Sequence, residues 1–190
     1  MRGWLQTMRG LMRHRGVGGF LVSTFALGLG FAFVAPFLSL WGTRAVGFSS
    51  LQVGLFMTAT SLAGISVSTL LARLSDTRIP RKALLLAGSL GGALGYAGYA
   101  LVRDPVLLVV IGITGIALAS VCFSQLFAAA RDWFDSTSAG GERSVALSVV
   151  RVCFSVAWTA GPAAGAMMLA QFGFEGLFLG AAALYLAFGL

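Results

Sequence analysis

Six long apolar segments, separated by short polar breaks, make up most of this 190-residue chain. They run over about residues 17–41, 51–71, 83–102, 106–130, 145–170 and 176–190. A helix of about 20 predominantly apolar residues crosses a bilayer core roughly 30 Å thick. Transmembrane β-strands would appear as alternating segments of about 10 residues. The runs here are about twice as long and continuously apolar, so helices are expected. Only 10% of the residues are charged and the mean hydropathy is +0.92, whereas a soluble domain carries about 25% charged residues. So few charges cannot cover a water-facing surface. The expected fold class is an all-α membrane protein with six transmembrane helices.

The first segment is too long for the apolar part of a signal peptide, about 7–15 residues, and lacks a clear small-residue cleavage site. It reads as a retained helix preceded by a basic tail, residues 1–16. The last segment stops after fifteen residues, roughly 22 Å of helix, and is expected to be truncated.

The net charge of +7 and pI near 10.8 do not point to nucleic acid. The basic residues sit in short clusters between apolar runs, without interleaved aromatics. Their distribution orients the chain instead. Arg2, Arg9, Arg13, Arg15, Arg73, Arg78, Arg81, Lys82, Arg131 and Arg143 fall on one side, and only Arg44 and Arg103 on the other. The N-terminus is therefore expected in the cytoplasm. Cys122 and Cys153 lie inside apolar stretches, which argues against a disulfide framework.

Enzyme chemistry finds no support. His14 is the only histidine, and no carboxylate pair, metal-ligand cluster or Ser/His arrangement is visible. No cofactor or metal is expected. The fifth segment carries the sharpest polar signal. Ser148, Arg151, Ser155, Trp158 and Pro162 are spaced 3, 4, 3 and 4, which makes one helical stripe. An arginine at a bilayer centre costs about 2.5–3.5 kcal/mol on insertion scales, so such a residue marks a solute path unless it snorkels to the headgroups. In the fourth segment, Gln125 lies about 9 Å from the same interface and is expected near the layer of Arg151. It offers donors and an acceptor for a hydroxyl-rich solute, or an interhelical hydrogen bond. Thr58 and Ser61 give the second segment a polar face that lines a cavity or simply packs. Gly88, Gly91, Gly92 and Gly95 give the third a close-packing face. Gly161 and Pro162 predict a kinked or closely packed fifth helix.

The loop Ala72-Arg73-Leu74-Ser75-Asp76-Thr77-Arg78-Ile79-Pro80-Arg81-Lys82 resembles the motif between helices 2 and 3 of the major facilitator superfamily. The usual pattern there is Gly-x-x-x-Asp-Arg/Lys-x-Gly-x-Arg/Lys-Arg/Lys. Asp76, Arg81 and Lys82 match it. Ala72, Thr77 and Ile79 depart from it. Trp158-Thr159-Ala160-Gly161-Pro162-Ala163-Ala164-Gly165 resembles the Gly-Pro motif in the fifth helix of antiporter branches. Within the superfamily, residues 35–41, 53–68, 124–132 and 151–162 look most like bacterial sugar efflux transporters.

The resemblance covers nearly the whole chain but only the first half of a full transporter. It implies two inverted three-helix repeats and a partner second six-helix half. It also implies a sugar-like solute near the midplane, with helices 1, 2, 4 and 5 lining the cavity. Export would be by alternating access from the bacterial inner membrane, with proton exchange. Arg151, Gln125, Thr58, Ser61 and Trp158 are the expected solute contacts, and Asp76, Arg81 and Lys82 a cytoplasmic gate. A drug exporter of the same superfamily and a truncated, non-transporting membrane module are the rivals.

Overall fold

In hydrocarbon every backbone N–H and C=O must find its partner inside the segment, and the apolar runs satisfy this as helices. The computed structural model describes residues 16–75, 78–137 and 142–189, so Asp76 lies outside the described residues. Five segments are long and apolar enough to cross a membrane: α1 (Val17–Val46), α2 (Ser50–Ser75), α3 (Arg81–Leu101), α4 (Pro105–Asp135), and a continuous helical run, Glu142–Gly189. Gly173 breaks that last run with φ 66° and ψ −167°. We denote its two limbs α5 (142–172) and α6 (174–189). The backbone keeps helical dihedrals at Gly161 and Pro162.

Local chemistry sets the helix ends. Gly47, at φ 81°, closes α1 with its N–H on the Gly42 carbonyl, a left-handed cap that glycine reaches without strain. Ser49 and Gln52 then start α2 reciprocally. The Gln52 N–H donates to Ser49 Oγ at 3.3 Å, and the Ser49 N–H to Gln52 Oε1 at 2.8 Å. Asp104 accepts from the Leu107 N–H at 2.9 Å and Pro105 takes the first turn of α4. Two helices leave α geometry inside their spans. α1 tightens to a 3₁₀ turn at Ala35–Phe37, around Pro36, and widens to a π turn at Gly42–Val46. α4 widens to a π turn at Gly112–Ile116.

Glycines decide which helices touch. On α3, Gly88, Gly91, Gly95 and Gly98 face Cys122, Leu118, Ile116 and Ile111 of α4 in descending order, so the two helices run antiparallel. Gly92 faces the ring of Tyr185 on α6. α1 runs parallel to α5: Gly28 meets Phe154 and Ala157, Ala32 meets Gly161, and the Phe33 carbonyl meets Gly165. α6 returns antiparallel, with Gly180 between Phe33 and Met168. The Gly161–Gly165 segment thus serves the approach of α5 to α1. α2 is the most loosely held; only 11% of its most apolar window is buried, against 56% for α3.

An aromatic cluster fills the α1–α2 loop end of the bundle. Trp41 lies 4.9 Å from Phe178 and 5.1 Å from Tyr99 between ring centroids, with Phe56 and Tyr96 around them. At the other end, Val17, Ala130, Phe134, Ala146 and Val150 form a smaller cluster.

A β-carbon on Gly161 would overlap Ala32, whereas one on Gly54 meets nothing within 4 Å. Gly161→Val should therefore destabilise the bundle by about 1–3 kcal/mol, and Gly54→Val should not. Thermal unfolding of the two variants in detergent checks this; equal midpoints would contradict the packing.

Candidate functional site

A cleft of about 310 Å³ opens where α1 and α4 are irregular. Ala35 and Leu38 of α1, Ile116 and Ser120 of α4, and Thr60, Ser61, Gly64 and Ser68 of α2 form its walls. Tyr96 and Tyr99 of α3 and Tyr185 of α6 close it. A second cleft of about 290 Å³ shares Phe31, Ser120 and Tyr185 with the first and continues toward α5. Its lining is aromatic: Phe31 stands 5.5 Å from Trp158, and Phe123 stands 5.2 Å from Phe154. No charged side chain among the described residues lines either cleft.

The expected site residues fall into separate places. Ser61 lines the first cleft and Trp158 the second. Thr58 is exposed on α2. Arg151 is exposed on α5 and has no hydrogen bond or ion pair with a described residue. Ala146, Val150, Ala157, Gly161 and Gly165 are the buried positions of α5, so Arg151 stands off the face that packs on the bundle. Gly161 sits in the α1–α5 contact, and Pro162 follows it half-buried.

Gln125 is in neither cleft. It is 1% exposed, and its Oε1 accepts from Ser75 Oγ at 3.2 Å and from Arg81 Nη1 at 3.3 Å. Arg81 Nε also donates to Asp132 Oδ2 at 2.6 Å. One amide and one carboxylate of α4 thereby hold the end of α2 and the start of α3. The structure brings Gln125 together with the expected gate residue Arg81, and Lys82 stays exposed beside it. At the opposite end Arg103 donates to the carbonyls of Ala100 and Val102, at 2.8 and 2.9 Å, and to Glu175 Oε1 at 3.2 Å. This ties the end of α3 to the α5–α6 turn.

Sequence reasoning missed Thr60, Ser120 and the three tyrosines. Thr60, Gly64 and Ser68 recur at i+4 on α2, a small-polar stripe visible in the sequence. The tyrosines belong to helices expected outside the cavity, and no local signal brings them inward.

The Major Facilitator Superfamily profile matches residues 20–190. The chain belongs to the major facilitator superfamily. Curated relatives agree. A putative sugar efflux transporter of Deinococcus radiodurans is 38% identical over 90% of this chain and 44% of its own length. Sugar efflux transporter A of Dickeya chrysanthemi is 37% identical over 90% of the chain and 43% of its own. Sugar efflux transporter A of Escherichia coli K12 is 34% identical over 96% of the chain and 46% of its own. The chain therefore spans a little under half the length of these relatives. No solved structure matches it significantly. Superfamily membership and the apolar helices make it a multi-pass membrane protein, in a family of transporters rather than enzymes.

Gln125→Leu would leave the Ser75 hydroxyl and an Arg81 N–H without their acceptor at a buried position. It should cost about 1–3 kcal/mol, read as a lowered unfolding midpoint in detergent. An unchanged midpoint would show that this junction does not hold α2 to α3.

Proposed function

We propose that this chain forms one half of a secondary transporter that exports sugars or related small neutral solutes by alternating access. The observation that carries the reading is the uncharged, hydroxyl-bearing cleft among α1, α2 and α4, in a chain whose relatives are named sugar efflux transporters. Hydroxyl groups match a neutral polyol, and the described lining residues offer an ion no charged partner.

In this reading the six helices are two inverted three-helix repeats, α1–α3 and α4–α6, and a second six-helix half covers the exposed faces of α2 and α5. The N-terminus lies in the cytoplasm and the protein in the bacterial inner membrane, as the basic clusters suggest. Arg151, with Gln125, Thr58, Ser61 and Trp158, belongs to the solute path. Arg151 is exposed without a partner among the described residues. In a complete transporter it needs water, solute or the second half around it, since hydrocarbon would leave its charge uncompensated. Gln125 acts from its buried junction with Arg81. Asp76, Arg81 and Lys82 form the cytoplasmic gate, anchored through Asp132. Proton exchange is proposed as the driving step. Asp104, Asp132, Asp135 and Glu175 all sit at helix ends, so the proton carrier is placed at an edge or in the second half.

The aromatic second cleft favours a second reading, export of amphipathic drugs. Vesicle assays in which labelled lactose competes with a cationic dye separate the two: dye transport without lactose transport selects the drug reading.

Arg151→Ala should lower lactose export by more than about tenfold while membrane insertion is kept, as expected when an interaction near 1.4 kcal/mol or larger is lost. Export at the parent rate would leave the arginine only its snorkelling role. Asp76→Asn should slow turnover more than it weakens binding. A change confined to affinity would contradict a gate.

A further inference from the structure

α2 touches α4 near its middle. Thr60 packs against Gly112, and Gly64 against Ser120, where a β-carbon on Gly64 would stand 3.3 Å from Ser120 Oγ. Both α4 residues mark irregular points of that helix. Gly112 begins the π turn, and Ser120 interrupts the α-helix between Ala119 and Val121. The Ser120 N–H reaches the carbonyls of Ile116 and Ala117 at 3.3 Å each, longer than the roughly 2.9–3.0 Å usual for such bonds. Toward Ser50 the two helices part. A groove of about 470 Å³ lies between Gln52, Leu55 and Ala59 of α2 and Val106 and Val110 of α4.

The Ser120 hydroxyl bridges the contact. Its Oγ stands 2.6 Å from the Ala117 carbonyl of its own helix and 2.8 Å from the Gly64 carbonyl of α2. A hydroxyl has one proton, so the two acceptors compete for it. Given to Gly64, the proton ties α2 to α4. Given to Ala117, it releases α2 and leaves no polar group orphaned, because the Gly64 carbonyl lies inside α2 and belongs to that helix's own ladder. The tie is therefore one that can open and re-form. Gly64 and Ser120 both line the 310 Å³ cleft, with α2 forming one of its walls. That volume is at the lower end for small-molecule sites, which run from about 300 to 1,000 Å³, and the cleft widens only if a wall moves. α2 is the wall with the least burial to hold it.

We propose that Ser120 is a positioning residue that sets the size of solute the cleft admits. Its hydroxyl holds α2 against α4 around a small neutral solute. A larger one enters only with α2 displaced, and so only by breaking the hydrogen bond to Gly64. Size discrimination then comes from the energy of this tie, without Ser120 touching the distinguishing part of the solute. This role rests on the sugar-export reading and adds the residue that limits solute size.

The test uses the complete transporter containing this chain, in vesicles, with labelled lactose as substrate and unlabelled glucose, lactose and the neutral trisaccharide raffinose as competitors. Ser120→Ala removes the hydroxyl, and Ser120→Thr keeps it. In the parent protein, raffinose should compete more than about fivefold more weakly than lactose. In Ser120→Ala that gap should narrow by about fivefold, the effect of one net hydrogen bond, with the glucose-to-lactose ratio unchanged. Ser120→Thr should keep the parent gap. A parent protein that does not distinguish raffinose from lactose overturns the proposal, and so does a gap that persists in Ser120→Ala. Equal weakening of all three competitors in Ser120→Ala also overturns it, since that is the signature of helix packing alone. A narrowed gap in Ser120→Thr would show that the hydroxyl is not the cause, with the same consequence. Parent vesicles that move no lactose would overturn the export reading and this role with it, whereas the other outcomes leave the export reading standing.

Discussion

Backbones approach one another in this chain where side chains are missing. Lipid tails are as apolar as leucine, so no hydrophobic force pulls helices together inside a bilayer; close van der Waals contact does. The glycines of α3 let α4 lie directly against it, and Gly161 and Gly165 do the same for α5 on α1. Each contact sets direction as well as distance, because successive glycines pair with successive partners along the neighbouring helix. The alternating up-and-down order of the bundle is held at these points.

Close packing along the helix axes moves bulk elsewhere. The large rings gather at one end around Trp41, and the three tyrosines of α3 and α6 fill the space that the glycine faces leave. The irregular turns of α1 and α4 fall beside the same space. A helix that tightens at Ala35–Phe37 and another that widens at Gly112–Ile116 cannot mesh along their whole length. The cleft occupies the mismatch, and Thr60 and Ser120 are among its lining residues.

Charge is handled differently at the two ends and in between. Arg81 and Arg103 each gather several acceptors near a helix end, where water is close and a pair with a carboxylate is modest in energy. Both act chiefly as ties between helix ends. Arg151 has no such tie among the described residues and stands on the face of α5 that the other described helices leave open. It is the basic residue set within an apolar run, and a charge so placed is expensive unless it faces water or protein.

The length of the apolar runs, the clustering of basic residues and the glycine spacing on the third segment were legible in the sequence, because each depends on composition or on a helical period. The stripe from Ser148 to Trp158 was legible for the same reason. Periodicity names a face of one helix without naming what the face meets. Gln125 illustrates the limit: its polarity allowed a solute contact or an interhelical hydrogen bond, and only the packing names Arg81 and Ser75 as its partners at the junction of α2, α3 and α4. The tyrosines show the converse, since residues on helices expected to lie outside complete the cleft. Which helix runs beside which, and where α1 and α4 lose regularity together, were decided by tertiary packing. Those relations join residues 39 to 89 positions apart, such as Thr60 with Tyr99 and Tyr96 with Tyr185, and no local pattern of side chains encodes them.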